Sequence, residues 1–477
     1  MRLAACGDSL FSSKNLVNRL DQRVIKYLKE ADGAFTNAEF CTPTPDTPPA
    51  SGRGYMTSVR ADRLDELADL NLKLISFVNN HSGDYGWQGI METMEAAEAR
   101  KLVACGLGRN LMDARLPRFL DTANGRIGIV ATGSTRSEVF AASDAGAGVA
   151  ARPGTNPLRW KQAYVLPERE FEQLRAIDTL LGTKASVDEG NRIETFPPSD
   201  DQHFSFGSLY EGNIKIEKGD RAYVRTYANE KDVEELLKSV KDASRRSDLT
   251  IFSVHTHEGI NENWYSPEPP EFIEKICRQA IDAGADAVIG HGAHFMRGVE
   301  IYKGHPIFYN LGSLLMEFEA GESIIAPEMY ESYGYAPESR PSDLHGNRAK
   351  DKDGNFIGFA SERRFSENAM AIIDKTEEGL SWKLVPLDLH LDGEIPLKRG
   401  LPVLAEPEVA RKMAAIFRKS VKNMGQNLPM MRQMVPFGWS KNFKPCISLF
   451  CNSRNPEVQS HASRFYAPCG AYRCLRS

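Results

Sequence analysis

Along the chain, short apolar or β-branched runs that end in polar loops alternate with segments whose apolar residues recur every three or four positions. Residues 2–6 read as a first strand ending at Gly7-Asp8, and 16–30 as an amphipathic helix. Strands follow at 34–39, 74–78 and 126–131, with helices at 61–70 and 87–99, a Pro-rich loop at 42–50 and a polar loop at 79–86. Regularity lapses from 136 to about 245, where Gly/Ala-rich and acidic, Pro-containing stretches predict an insertion or lid. It returns with helices at 230–245 and 270–283 and strands at 249–254, 287–289 and 307–310. A polar, Gly/Pro-punctuated segment, 321–365, is expected as a second insertion over the active site. Strand, polar loop and helix in repeated order predict an α/β core with functional loops at strand ends. No internal repeat or heptad run is visible.

Composition narrows the class. Of 477 residues, 41% are hydrophobic and 26% charged, ordinary values for a globular chain with a large core. A net charge of −5 argues against a general nucleic-acid or anionic-membrane binder. No apolar run approaches the ~18–20 residues of a membrane span. The apolar stretch at the N-terminus is too short for a signal-peptide core, so a cytoplasmic protein without membrane anchor is expected. Cys6, Cys41, Cys105 and Cys277 stand apart and are expected to be reduced. Cys446, Cys451, Cys469 and Cys474 crowd a basic tail whose spacings fit a zinc knuckle poorly. One domain over 1–425 is expected, with an extension at 426–477 that is poorly ordered from about 440.

The chemistry concentrates at strand ends. Four of the ten histidines fall in two tight groups, His255-Thr-His257-Glu258 and His291-Gly-Ala-His294, each at the end of an apolar run. Imidazoles so placed can converge on a divalent cation. Only one member of His255-x-His257 is expected to face the site. His255, first off the strand, is taken as the ligand, with His257 and Glu258 lining the pocket. Gly290 and Gly292 are expected to give the backbone freedom that turns His291 and His294 to one side. Asn79-Asn80-His81-x-x-Asp84 sets two amides and an imidazole at another strand end. Such groups are costly to bury unless they bind something: the amide can ligate a cation, and His81 can protonate a leaving group. Gly7-Asp8 and Asn37-Ala-Glu39 are ambiguous alone, since turns favour such residues.

Taken in order, Gly7-Asp8, Asn37-Ala-Glu39, Asn79-Asn80-His81-Ser-Gly-Asp84-Tyr-Gly86, Ser253-Val-His255, the run from Ala283 to His294, and Ile307-Phe-Tyr-Asn-Leu-Gly312 resemble the CapA family. That family is named for poly-γ-glutamate capsule biosynthesis and is similar to calcineurin-like metallophosphoesterases. The segment from Arg152 to Arg159 resembles one found in a soluble, unanchored subgroup. The resemblance implies a sandwich of two mixed β-sheets flanked by helices (αββα), with one or two divalent metal ions at the strand ends. By position it implies Asp8 and His294 on a first metal, Glu39 as the bridge, and Asn80, His255 and His291 on the second. His81 is then the acid or transition-state donor. Calcineurin-like phosphatases carry a ligand, usually His, two residues after the first Asp; here that position is Leu10, so the first site is expected to be ligand-poor.

Mixed N/O donors favour Mn²⁺, Zn²⁺ or Fe²⁺, with Ca²⁺ or Mg²⁺ possible for a more oxygen-rich set. The leading expectation is a metal-dependent hydrolase of a small amide-, ester- or phosphoester-linked substrate or peptide. Asn79 and Arg297 are the expected substrate-binding residues, Arg297 as a clamp for a carboxylate or phosphate. Two alternatives stand beside it. One is a metal-dependent epimerase in which a His or Glu258 removes an α-proton. The other is a non-catalytic accessory protein that binds polyglutamate-like anions.

Overall fold

The computed structural model describes residues 1–52, 54–193, 199–207, 212–317, 323–423 and 447–449. Period-two alternation divides the first strand, Arg2–Phe11, between two cores. Ala4 and Cys6 pack under a helical layer built from residues such as Leu16, Val24, Leu28, Leu67 and Ile90. Leu3 and Ala5 face the other way, with Phe35 and Leu74, against Ile127, Ile251 and Ile289 of a second sheet. That second sheet covers its own far side with Leu236, Val240, Phe272 and Ile276 from the helices Glu230–Arg246 and Glu271–Asp282. The layers are therefore helix, sheet, sheet, helix, as expected.

Both sheets are mixed. Arg2–Phe11, Gly33–Ala38, Leu72–Ser76 and Val103–Cys105 run parallel, as does Ser313–Glu317 beside the end of Arg2–Phe11. Glu367–Thr376 and Gly379–Asp388 extend this sheet antiparallel. In the second sheet Gly125–Gly133, Leu249–Thr256, Ala287–Gly292 and His305–Phe308 are parallel, with antiparallel edges at Arg118–Thr122 and Val299–Tyr302. The parallel strands point their carboxyl ends at one side of the sandwich, where open α/β sheets place their ligands.

Four expectations are modified. The helix at 16–30 is two, Leu16–Arg19 and Gln22–Lys29, because Leu20 is extended and Asp21 caps the second by accepting from Arg23 N–H. The strands at 249–254 and 287–289 run on to Thr256 and Gly292, so His255 and His291 lie within strands rather than in loops after them. Among the described residues of 136–245 the part from 160 on is regular: Trp160–Leu166, His203–Phe206, Ile214–Lys218 and Tyr223–Ala228 form a four-stranded sheet. It has its own small core around Phe171, Phe204 and Ile216. Residues 323–365 carry the helices Pro327–Ser332 and Pro341–Ala349, which pack Met329, Tyr330 and Leu344 against Met56.

Cys6, Cys41, Cys105 and Cys277 are free and buried. The four cysteines of the tail lie outside the described residues. Of the tail only Ile447–Leu449 is described, as a strand on Gly379–Asp388. Among the described residues no helix is long and apolar enough to cross a membrane.

Candidate metal centre

Asp8 reaches the centre through an irregularity in its strand. By alternation it would share the helix-facing side with Ala4 and Cys6. The register with Gly33–Ala38 shifts between Ala5 and Asp8, and Asp8 emerges on the side of the second sheet. Gly7 is required there, since a Cβ would sit 1.8 Å from the Gly312 carbonyl oxygen. His255 and His291 continue the faces of Ile251 and Ile289 toward the same place. Asp8, His255 and His291, all fully buried, offer ligand atoms within 4.8 Å of one another.

A second group lies alongside. Glu39, one residue beyond its strand, joins His257 and His294, again with ligand atoms within 4.8 Å. The two groups are contiguous: His294 Nδ1 is 3.3 Å from Asp8 Oδ2 and 3.7 Å from Glu39 Oε2. Asn80 Oδ1 lies between them, 2.7 Å from His255 Nε2 and 3.2 Å from His257 Nε2.

This grouping differs from the division implied by the resemblance. Asp8 stands with His255 and His291, and Glu39 with His257 and His294. The expectation that only one of His255 and His257 faces the site is corrected, because residues two apart on extended backbone share a side. Leu10, where the resemblance expects a further ligand, is apolar and lines the cavity above the centre. Gly292 has the predicted positive φ, 114°, and its N–H donates to Asp8 Oδ2 at 2.8 Å. Gly290 serves close packing instead, since a Cβ there would meet the Tyr309 carbonyl oxygen at 2.1 Å. His294 itself holds φ at 61°, a strained conformation of the kind that clusters at functional sites.

The two carboxylates differ in their surroundings. Burial opposes charge on Asp8, but His294, His291 and the Gly292 N–H outweigh it and lower its pKa. Asn37 Nδ2 donates to Asp8 Oδ1 at 2.8 Å and lies 3.3 Å from His255 Nδ1. Glu39 has neither oxygen hydrogen-bonded, and burial, Asp8 and Asp84 raise its pKa well above the usual range. Burial pushes the His291 imidazole down to about 4 against the opposing pull of Asp8, and it takes a 2.8 Å hydrogen bond with Ser253 Oγ. His255 is held neutral by burial and the neighbouring imidazoles.

His81 lies on the cavity wall with Nδ1 2.7 Å from Asp84 Oδ2, so Nε2 is the nitrogen left for a substrate. Asp84 also accepts Thr57 N–H at 2.8 Å, which fixes the pair. Three expected participants do not line the cavity. Asn79 is buried and holds the turn: its Nδ2 donates to the Ala38 carbonyl at 2.8 Å and its Oδ1 accepts His81 N–H at 3.0 Å. Glu258 Oε2 accepts the hydroxyls of Ser134, Thr135 and Thr256 at 2.7–2.9 Å. Arg297, 1% exposed, donates to the carbonyls of Glu258, His257 and Trp264 at 2.6, 2.8 and 3.1 Å. It clamps the loop after His257 and is not placed to meet a substrate.

A cavity of about 860 Å³ opens above the Glu39 group. Residues 341–365 form much of its roof, as expected of that insertion, whereas none of the described residues of 136–245 lines it. The small sheet braces the loop after His257 instead: Asn261 Oδ1 accepts Val224 N–H at 3.2 Å, and Gln162 and Tyr164 bond Glu262. Asn37 and Ser253, not singled out as site residues, support the ligands. Their signal was their place in the same strand-end motifs.

Two mixed sheets with carboxylates and imidazoles converging at their carboxyl ends define a calcineurin-like metallophosphoesterase fold. The family of bacterial capsule synthesis protein PGA_cap matches residues 2–317, and the chain belongs to it. The y4sH protein of Sinorhizobium fredii is 30% identical over 394 residues, 80% of each chain. PGA biosynthesis protein CapA of Bacillus subtilis is 23% identical over 251 residues, 53% of this chain and 44% of that one. A probable polyglutamine synthesis accessory protein of Mycobacterium tuberculosis is 23% identical over 259 residues, 54% of this chain and 49% of its own.

Proposed function

We propose that this protein is a metal-dependent hydrolase of a small amide-, ester- or phosphoester-linked substrate. The observation that carries the reading is the Glu39 carboxylate, buried without a hydrogen bond beside Asp8 and among His255, His257 and His294. A buried acid with no donor is costly unless a cation meets it. The donor set fits: two carboxylates and four imidazoles suit Mn²⁺, Zn²⁺ or Fe²⁺, held by Asp8, His255 and His291 and by Glu39, His257 and His294. Bound there, such ions supply Lewis acidity and a water acidic enough to attack near neutral pH.

The chain's own groups supply the rest. His81, its Nδ1 held by Asp84, offers Nε2 to protonate a leaving group. Asn37, Ser253 and the Gly292 N–H fix the deeper ligands. Of the two bases expected for an epimerase, a His or Glu258, Glu258 is committed to three hydroxyls away from the cavity, which leaves a histidine alone for that role and favours hydrolysis.

Purified protein is to be analysed for metal and assayed on phosphoesters, esters and glutamyl peptides with Mn²⁺, Zn²⁺ or Ca²⁺. Metal-dependent cleavage of one class is expected. Ligand binding without turnover under any of these ions would favour the accessory-protein reading, and deuterium uptake at a substrate α-carbon without cleavage would favour the epimerase.

A further inference from the structure

The cavity above the Glu39 group has two unlike poles. At one, aromatic rings stand against both histidines of that group. Trp264 lies with its ring centroid 5.2 Å from His257, and Phe359 with its centroid 5.5 Å from His294. Phe359 is backed by Phe365 at 4.5 Å, and Phe365 meets Tyr265 edge-on at 6.5 Å. A substrate that reaches these histidines therefore meets flat apolar surface beside each of them, the setting in which a ring or other planar group gains most from stacking.

At the other pole stands Arg348, on the helix Pro341–Ala349. Its guanidinium lies 3.9 Å over the Tyr55 ring and 5.8 Å from that of Tyr333, and none of its described contacts is with a carboxylate. Tyr55 in turn stands edge-on to His81 at 6.1 Å. One guanidinium thus serves the side of the cavity that carries the candidate acid. The remaining charges do not make a basic track. Arg399 is 6% exposed, gives its Nε–H to the Gly393 carbonyl and lies over Phe356, and the wall also holds Glu362. Beyond the metal centre, an extended polyanion would meet this carboxylate and only one well-placed side-chain cation. A compact molecule with one negative group needs only that cation.

We propose that the cavity takes a compact molecule carrying one carboxylate and one flat apolar group, the carboxylate on Arg348 and the flat group against Trp264 and Phe359. An extended polyglutamate strand does not fit this lining. The proposal names a substrate class for the hydrolase reading and rests on it. Arg348, Phe359 and Phe365 lie beyond residue 317, where the family match ends, while Trp264 lies within it.

The test is calorimetric titration of the Mn²⁺-loaded full chain with N-benzoylglycine, N-acetylglycine, benzamide and tetra-γ-glutamate. N-Benzoylglycine is expected to bind at least about tenfold more tightly than each of the others, because only it engages both poles. Arg348→Ala should reduce its affinity to about that of benzamide, Arg348→Lys should restore part of the loss, and Trp264→Ala should erase its advantage over N-acetylglycine. The Lys variant keeps the test informative if the Ala variant misfolds. Tetra-γ-glutamate binding as tightly as N-benzoylglycine, no measurable binding of N-benzoylglycine, or indifference to both Arg348 variants would each overturn the proposal. Turnover separates the two readings. Metal-dependent cleavage of tetra-γ-glutamate alone defeats the substrate class and leaves the hydrolase. The predicted binding pattern with no cleavage of any amide, ester or phosphoester defeats the hydrolase and leaves the binding assignment.

Discussion

The two ligand groups at the centre use the same residue types and are built in opposite ways. Asp8, His255 and His291 are sealed at 0% exposure, and each already holds a hydrogen bond inside the protein. Glu39 is as deeply buried but holds none, while His257 and His294 beside it open on the cavity. Opposite pKa displacements follow, down for Asp8 and up for Glu39. The contrast teaches a division of labour. On the proposed reading, the sealed group is organised by the fold before any ion arrives, and the open group is completed by a cation and faces the substrate.

The sharpest way to break this comparison is to remove the sealed group. Asp8→Ala or His291→Ala is expected to abolish bound metal by elemental analysis and to leave turnover at the metal-free background. Metal retained at wild-type stoichiometry in both variants would contradict the assignment. His81→Ala acts on the cavity side without touching a ligand. It should leave metal content unchanged and lower kcat by about 10²–10⁴-fold, the range of a general acid. A kcat within threefold of wild type would remove His81 from the chemistry (about 0.65 kcal/mol). Glu39→Gln keeps the volume and removes the charge. The sealed group should keep its ion, total metal should fall, and kcat should drop about 10²–10³-fold, as when one charge-stabilising group is lost. Loss of all metal in this variant would show that the two groups are one site.

Much of this was legible in the sequence because the ligands sit where apolar strands end. Glycine-punctuated ends at Asp8, Asn80, His255 and His291 are local signals, and period-two and 3.6-residue patterns located the strands and most of the helices. The pairing of carboxylates with imidazoles was not legible. It depends on the register shift before Asp8 and on which strands of the two sheets face each other, and neither leaves a local mark. Glu258 and Arg297 misled for a related reason: a charged residue beside a motif reads the same whether it enters the cavity or folds back on its own loop. The sheet within 136–245 was hidden because its strands keep exposed, polar faces that blur the alternation. Trp264, Phe359 and Arg348 lie in loops and a short helix with no periodic signal, and only the folded cavity brings them together.

The smallest effect bears on how firmly the roof over the open group is held. His345, on the same helix as Arg348, is 5% exposed, and burial followed by the nearby Arg348 charge pushes its pKa down to about 3 from an ordinary 6.5. The folded chain therefore keeps this imidazole neutral where the unfolded chain takes up a proton. Stability is fully present above pH 6.5 and is lost as the pH falls from 6.5 toward 3, because the unfolded state binds more protons in that window. At pH 5 the expected loss is up to ~2 kcal/mol. His345→Gln has nothing to titrate there. Thermal melts at pH 7 and pH 5 should show the wild type losing roughly 1–2 °C more than the variant. Equal losses would mean that the imidazole is protonated in the folded chain, and that this roof opens to water as readily as the mouth of the cavity beneath it.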